Sequence, residues 1–592
     1  MNPSQIFLAG AGLFALWAAG PASAQAPDSL RTQGGMNREM VLEREYKPTV
    51  ADADKVNSLP AVREPQVTHA PIDYATVAAP VDPARVILTL PADSILSGMQ
   101  YNTKRGYLNL GAGSYLNLNG DFGYHLLSSA KDQLQIRLSH RSSDGKLTYG
   151  EGNLTGEKVK AKRNDEGGFL DYRHVFPKAA LSLGGDYTYK GYNYYGAYEM
   201  GLSEGDEMPN FDRDSRQVNQ QAHFKAGITS LPGANLDYRF LLDYRYFQQK
   251  YGADTDVKGL KEHSLGADLG LSAGFNGNQR IGVGGQFHYF YYPYIAGTDS
   301  ADRFRNHFEG TLTPRYSIEG DNWHIQIGAN LMYVSKIGDY TDSHFFLSPD
   351  VKADLRIGSK TLLYLSAGGG IRSNSRYQLT EENPYVGMMW QADPSRIPLD
   401  ARLGLKSNLL PGFWFHVFGG YRITKDDYFY TVQQYAYMPE GWGNLSRPFA
   451  LNSRQLFGGL ELKYAYRKLV EVSLKGIYHH YSDLSGDYVG GTPDYRPYGK
   501  PKVEAKGSVM LRPVAHFSVG MDYYMATDRW AYITWNEKMK DVRELSVTGS
   551  YAFNSTFGIY VKGSNLLGEK YEYVYGYPLQ GLTLMGGLNI NF

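Results

Sequence analysis

The chain ends in Asn565-Leu-Leu-Gly-Glu-Lys-Tyr-Glu-Tyr-Val-Tyr-Gly-Tyr-Pro-Leu-Gln-Gly-Leu-Thr-Leu-Met-Gly-Gly-Leu-Asn-Ile-Asn-Phe592. Its final residues alternate strictly. Leu582, Leu584, Gly586, Leu588, Ile590 and Phe592 fall on one face, and Thr583, Met585, Gly587, Asn589 and Asn591 on the other. Successive side chains of a strand point to opposite sides, so one apolar face and one polar or small face suit a sheet with lipid outside and a wet lumen inside.

The same period of two recurs upstream. Val503, Ala505, Gly507, Val509 and Leu511 alternate with Glu504, Lys506, Ser508, Met510 and Arg512. Leu460, Leu462, Tyr464 and Tyr466 alternate with Glu461, Lys463, Ala465 and Arg467. Charges on one such face are costly in lipid and natural in a wet lumen. The connections also sort by length. Short turns at Phe176-Pro-Lys, Asn276-Gly-Asn, Gly358-Ser-Lys and Arg512-Pro-Val-Ala separate longer segments at 142–166, 191–215, 373–395, 426–450, 481–500, 529–541 and 565–581. Short turns at one end and long loops at the other mark a membrane barrel. A soluble sandwich or propeller has no reason to sort loops by parity.

Composition agrees. Of 592 residues, 67 are Gly and 49 are Tyr, against an average Gly usage of roughly 7%. Aromatic girdles and a tightly packed lumen wall use both residues. The 60 basic and 60 acidic residues give zero formal net charge, so no global field favours nucleic acid. The absence of cysteine rules out a disulfide or a thiolate zinc site.

Phe7 to Ala19 is almost wholly apolar and too short to cross a bilayer. Ala22-Ser23-Ala24 supplies a small-x-small cleavage pattern, so 1–24 reads as a signal peptide, with the mature chain starting at Gln25. Residues 25–98 carry prolines at Pro60, Pro65, Pro71, Pro80, Pro83 and Pro91, which break long helices and central strands. This segment is expected to be an extended periplasmic arm, either a partner-binding one or a passive linker. With no run of about 18 apolar residues downstream, spanning requires a closed barrel. The expected fold is all-β: a transmembrane antiparallel barrel over 99–592, of about 22 strands with neighbouring even counts open.

The C-terminal run resembles the end of TonB-dependent receptors. There an Asn-Leu strand end, here Asn565 and Leu566, is followed by a Tyr-rich loop. A Gly-Tyr-Pro-x-x-Gly turn, here Gly576, Tyr577, Pro578 and Gly581, then leads to a final strand ending in Phe, here Phe592. Tyr377-Gln-Leu-Thr-Glu-Glu-Asn-Pro-Tyr385 is similar to a loop-to-strand element of such barrels from Bacteroidetes-type bacteria. The resemblance implies an outer-membrane receptor involved in transport. It also implies an N-terminal plug and a TonB box. The short Pro-rich stretch before the barrel shows neither pattern, which argues against TonB coupling.

No His-Glu-x-x-His, Walker loop or nucleophile elbow is present. His479 and His480 are adjacent and point to opposite faces of a strand, which makes them girdle or loop residues rather than a metal pair. Gly368-Gly-Gly-Ile371 reads as a bend or close packing. The Tyr-rich runs at 187–198 and 288–294 read as an outer girdle with loops folding over the lumen. No enzyme activity, catalytic residue, metal or cofactor is expected. Partners are outer-membrane lipid and a periplasmic or lipoprotein partner, without nucleic acid. Two functions remain: passage of a solute, or a non-transporting platform whose arm binds other proteins.

Overall fold

The computed structural model describes residues 104–592 apart from 151–155, 198–215, 232–235, 252–258, 294–303, 336–342, 388–391, 409, 433–443, 487–493 and 532–537. The signal peptide, with Ala22 and Ala24, and the arm at 25–98 lie outside the described residues.

The described residues form one 22-stranded antiparallel sheet in which each strand pairs with the next in sequence. The ring closes where β1 (Gly106–Gly113) pairs with the last strand, β24 (Thr583–Asn591), from Tyr107↔Asn591 to Gly113↔Met585. Two two-residue strands, β20 (Arg529–Trp530) and β21 (Lys538–Met539), form a separate small hairpin. Closure leaves no unpaired edge, which a sheet in hydrocarbon requires. The even count brings both ends of the barrel to the same rim, the one with the short turns.

Side chains sort as the alternation requires. On β24, Leu584 is 54% exposed on the outer wall and Asn589 is 5% exposed on the inner. Outward polar pairs mark the limits of the apolar belt. On β3 (Asp132–Thr148) and β4 (Lys158–Val175), Asp132 meets His174 at 2.6 Å near the turn rim, and His140 meets Glu166 at 2.8 Å toward the loop rim. Counting both marks, nine residues of β4 run from Glu166 to His174, about the length with which a tilted strand crosses a bilayer.

Several strands are longer than a crossing requires. β15 (Phe413–Val432) and β16 (Ser446–Tyr466) have 20 and 21 residues, and β17 (Val470–Ser485) has 16. The segment expected as a loop at 142–166 is therefore largely strand, 426–450 begins and ends as strand, and 481–500 begins as strand. Above the belt water replaces lipid outside the wall, as at Asp144, Lys146 and Lys160, so the backbone ladder continues after the apolar outer face has stopped.

The glycine and aromatic enrichment has a common cause. Tyr107 lies over Gly123, Tyr364 over Gly404, Phe418 over Gly459, Phe457 over Gly420 and Tyr560 over Gly587, each a directly opposed cross-strand pair. A Cβ on Gly404 would sit 2.5 Å from the Tyr364 ring. Each ring covers backbone that its glycine leaves bare, and such pairs are the stabilising unit of a sheet. The Gly368–Ile371 run is a bend as expected: register shifts between Gly368 and Gly370, and a Cβ on Gly369 would meet the Ile397 carbonyl at 2.2 Å.

Candidate functional site

The described parts of the long loops converge over the barrel mouth. The segment after β13 (Thr361–Arg372) turns at Asn374 (φ 54°), whose side chain donates to the Asp393 carbonyl at 2.6 Å. It then forms the helix α1 (Arg376–Glu382). A capping box starts this helix. Ser375 Oγ accepts from Gln378 N at 3.3 Å, and Gln378 Oε1 accepts from Ser375 N at 3.2 Å.

Arg376 is fully buried and anchors the helix. Its Nε donates to Gln249 Oε1 at 2.6 Å, Nη1 to the Gly387 carbonyl at 2.9 Å and Nη2 to the Val386 carbonyl at 2.7 Å. Its backbone N–H donates to Glu262 Oε2 at 2.6 Å, where the Tyr292 hydroxyl also donates at 2.9 Å. Burial raises the Glu262 carboxyl above its ordinary pKa, outweighing these donors.

Gln249 ends β7 (Leu236–Gln249) and Glu262 starts β8 (Lys261–Phe275). The same segment reaches β5 (Ala179–Asn193), where Lys190 meets Glu381 at 2.6 Å and Tyr192 donates to the Pro384 carbonyl at 2.7 Å. It also reaches β15, where the Tyr428 and Tyr430 hydroxyls donate to Glu382, and β16, where Gly387 N donates to the Ser446 carbonyl at 2.8 Å. β5 and β13 are eight strands apart in a ring of 22. A segment that touches both lies across the mouth as a lid.

An aromatic hub holds the lid. Tyr385 stacks on Tyr577 at 3.4 Å between ring centroids, with Tyr192, Tyr194 and Tyr195 edge-on to Tyr385 at 5.7, 6.3 and 6.0 Å. The Tyr577 hydroxyl donates to the Asn444 carbonyl at 2.9 Å, and the Asn444 amide donates to the Tyr194 and Gly196 carbonyls. Burial pushes the Tyr385 phenol up to about 12, so it stays neutral. Beside the hub, Asp427 accepts from Arg372 at 2.6 Å, Lys500 at 3.0 Å and Ser453 at 2.8 Å. Burial alone would raise that carboxyl, but Lys500 and Arg372 hold it well below the usual range. A cleft of about 60 Å³ between Arg372, Glu382, Tyr430, Lys500, Trp530 and Tyr573 has room for water rather than a large solute.

The C-terminal signature residues divide between the two rims. Gly576 (φ 80°), Tyr577 and Pro578 belong to the hub; Ala197 N donates to the Gly576 carbonyl at 2.9 Å, and the Tyr195 hydroxyl to the Pro578 carbonyl at 3.1 Å. Asn565 (φ 48°) closes the base of that loop, its amide donating to the Glu569 and Gln580 carbonyls at 2.9 and 3.3 Å. Leu566 covers Gly563, and Gly581 faces the Tyr115 hydroxyl. Phe592 lies at the opposite rim. It exchanges backbone hydrogen bonds with Gly106 at 2.7 and 3.0 Å, and its ring stacks near Phe122 and Tyr124 at 6.2 and 5.9 Å.

Two expectations change. Tyr377–Tyr385 is not a loop-to-strand element but helix and lid, because the Ser375 cap and the buried Arg376 favour a helical turn there. His479 is no girdle residue: it faces inward, 4% exposed, with Gln455 Nε2 3.0 Å from its Nδ1, while His480 faces out. The Tyr runs follow their expected division. Tyr187, Tyr289 and Tyr291 are exposed on the outer wall, and Tyr194, Tyr195 and Tyr292 are buried among the loops. Sequence reasoning missed Arg376, Glu262 and Asp427. The Ser375-x-x-Gln378 capping box was the available signal for the helix.

No family model matches the sequence, and no curated protein matches it. The fold is similar to that of solved outer-membrane proteins. The FrpB iron transporter from Neisseria meningitidis (F5-1 variant) superposes with a TM-score of 0.63 at 11% identity over 85% of this chain and 84% of that one. The pyoverdine outer membrane receptor FpvA from Pseudomonas aeruginosa PAO1 gives 0.59 at 12% identity, over 83% and 79%. The ferric-catecholate import receptor Fiu from K12 E. coli gives 0.58 at 10% identity, over 83% and 82%. The chain has the closed 22-stranded barrel fold of the TonB-dependent receptors.

Proposed function

We propose that the protein resides in the outer membrane and takes part in passage of a solute, with the lid across the mouth as its gate. The lid crossing carries this reading: one segment bonds to strands eight apart, yet its anchors are a few polar groups and stacked rings rather than a continuous core. Loops and lids that close over a site commonly move on function. The fold likeness to outer-membrane transporters and receptors supports it, and the role is one of binding and passage rather than catalysis. Solute uptake by cells lacking the protein, compared with cells expressing the full chain or an Arg376→Ala variant, tests it. Unchanged uptake across a broad solute panel would remove the transport role.

The lid's bonds to both sides of the ring also fit a second reading, a platform for other proteins. On that reading 25–98 is an extended arm in the periplasm that adds to a partner's sheet edge or clasps a lipoprotein. Deleting 25–98 then removes co-purifying proteins and leaves the barrel inserted; a truncated barrel that kept its partners would exclude the arm. Export is proposed to end in cleavage after Ala24, which N-terminal sequencing of the mature chain checks. The Pro-rich stretch before the barrel carries no convincing TonB box, and passage is proposed to run without TonB. Uptake that collapses with the proton gradient would contradict this.

A further inference from the structure

The outer wall from β3 through β6 (Arg216–Ser230) to β7 carries a feature that neither the lid nor the lumen explains. Leu138, Leu170, Tyr187, Phe224 and Tyr244 stand out from the wall, each more than 40% exposed. Between them Gly168 and Gly185 leave the sheet bare. The result is an open apolar groove with a volume of about 570 Å³, also lined by Ala222. It lies within the belt, since Gly168 pairs with Leu138, next to the His140–Glu166 pair that marks the belt's upper limit.

Above that limit, β3 and β4 continue as a paired ribbon. Leu147 and Val159 pair with each other and are buried against the hub, so they face inward. The alternate positions Lys146, Lys158, Lys160 and Lys162 therefore face outward, with Lys146 opposite Lys160 and Lys162 opposite Asp144. The first three are exposed and Lys162 is half-buried. Asp144 lies 3.4 Å from Lys160. Glu166, lower on the same face, is held by His140. Four lysines thus share one outward face with Asp144, six to ten residues or about 20 to 33 Å along the strands from the floor of the groove at Gly168.

We propose that this wall retains a lipid with a phosphorylated headgroup. One acyl chain lies in the groove and the phosphates meet the four lysines, whose long stems reach down toward the interface. Hydrocarbon already surrounds the wall, so the groove alone selects nothing; the lysine cluster is the selective element. The proposal rests on the reading of the loop rim as facing the phosphate-bearing leaflet and is independent of transport.

The test uses the purified full-length protein in neutral detergent with diphosphorylated lipid A, its dephosphorylated form and inorganic phosphate as probes. Affinity is measured by titration, and retained lipid by native mass spectrometry. Each lysine near an anionic lipid contributes about fivefold in affinity. Replacing all four by Gln weakens binding of the diphosphorylated lipid at least tenfold. Gly168→Leu with Gly185→Leu fills the groove and weakens it severalfold. Neither substitution crowds the fold: a Cβ on Gly168 would meet nothing nearer than Leu138 Cδ2 at 3.6 Å, and on Gly185 nothing nearer than the His223 carbonyl at 3.8 Å. Heat-modifiable migration of the barrel confirms folding, and solute passage is unchanged in both variants. Equal retention of the dephosphorylated lipid, or unchanged affinity in the lysine variant, overturns the proposal. So does complete competition by inorganic phosphate. If the wall binds no lipid but captures a neighbouring protein, it is a protein interface and the proposal fails.

Discussion

Tyr385 and Tyr577 stack face to face at 3.4 Å, although one follows β13 and the other precedes β24. The contact ties together loops from widely separated parts of the ring, so it holds the lid without belonging to the barrel wall. Tyr577→Ala removes a buried ring worth about 3 kcal/mol or more. That loss falls on closure of the lid. The expected outcome is frequent channel openings with barrel unfolding in denaturant unchanged. Gly196→Val acts similarly, since a Cβ there would lie 2.4 Å from the Tyr577 ring.

Glu262 gives closure a pH dependence. With the lid open its carboxyl returns toward 4.5; with the lid closed, burial holds it higher. The closed state binds the proton more tightly, so acid favours closure. This contribution is full below the ordinary pKa and is lost as pH rises through the raised one. Asp427 acts in the opposite sense. Its carboxyl is lowered in the closed state, so its contribution is present above 3.8 and lost only at lower pH. Opening frequency is therefore expected to rise as pH is raised above the ordinary carboxylate value of 4.5, and Glu262→Gln flattens the rise. A variant with the wild-type pH profile would place the titrating group elsewhere.

The paired glycines make a sharper test of the wall. Gly404→Ala forces the Tyr364 ring aside and costs about 1–3 kcal/mol. In a Tyr364→Ala background the same substitution has little further effect. A double-mutant cycle in urea measures the coupling; additive effects would deny that ring and glycine form one unit.

Phe592 closes the seam. Phe592→Ala leaves the backbone bonds to Gly106 and removes the ring beside Phe122 and Tyr124. The expected result is a barrel that inserts more slowly into vesicles and migrates as unfolded at a lower temperature on unheated gels.

Much of the architecture was legible because lipid enforces a period of two. The outward Leu584 and Leu588 and the inward Asn589 follow directly from alternation, and the sorted turns point to the parity of the ring. The upper barrel was not legible. Where β4 leaves the belt, Lys158, Val159, Lys160 and Ala161 satisfy their backbone in a ladder while water replaces lipid outside, so hydropathy no longer reports the strand. The lid was hidden for a different reason. Arg376 and Glu262 are far apart in sequence and acquire meaning only when the ring brings β8 and the segment after β13 together. The Tyr192–Tyr195 run suggested loops over the lumen, but its partners Tyr385 and Tyr577 come from other loops.

The most direct test is single-channel conductance of the full chain in a planar bilayer, compared with the Arg376→Ala, Tyr577→Ala variant. A gate predicts a wild type that is closed with brief openings and a variant that is open most of the time at the same unit step. Large steady conductance in the wild type, or a variant as silent as the wild type, would contradict a lid that gates the barrel.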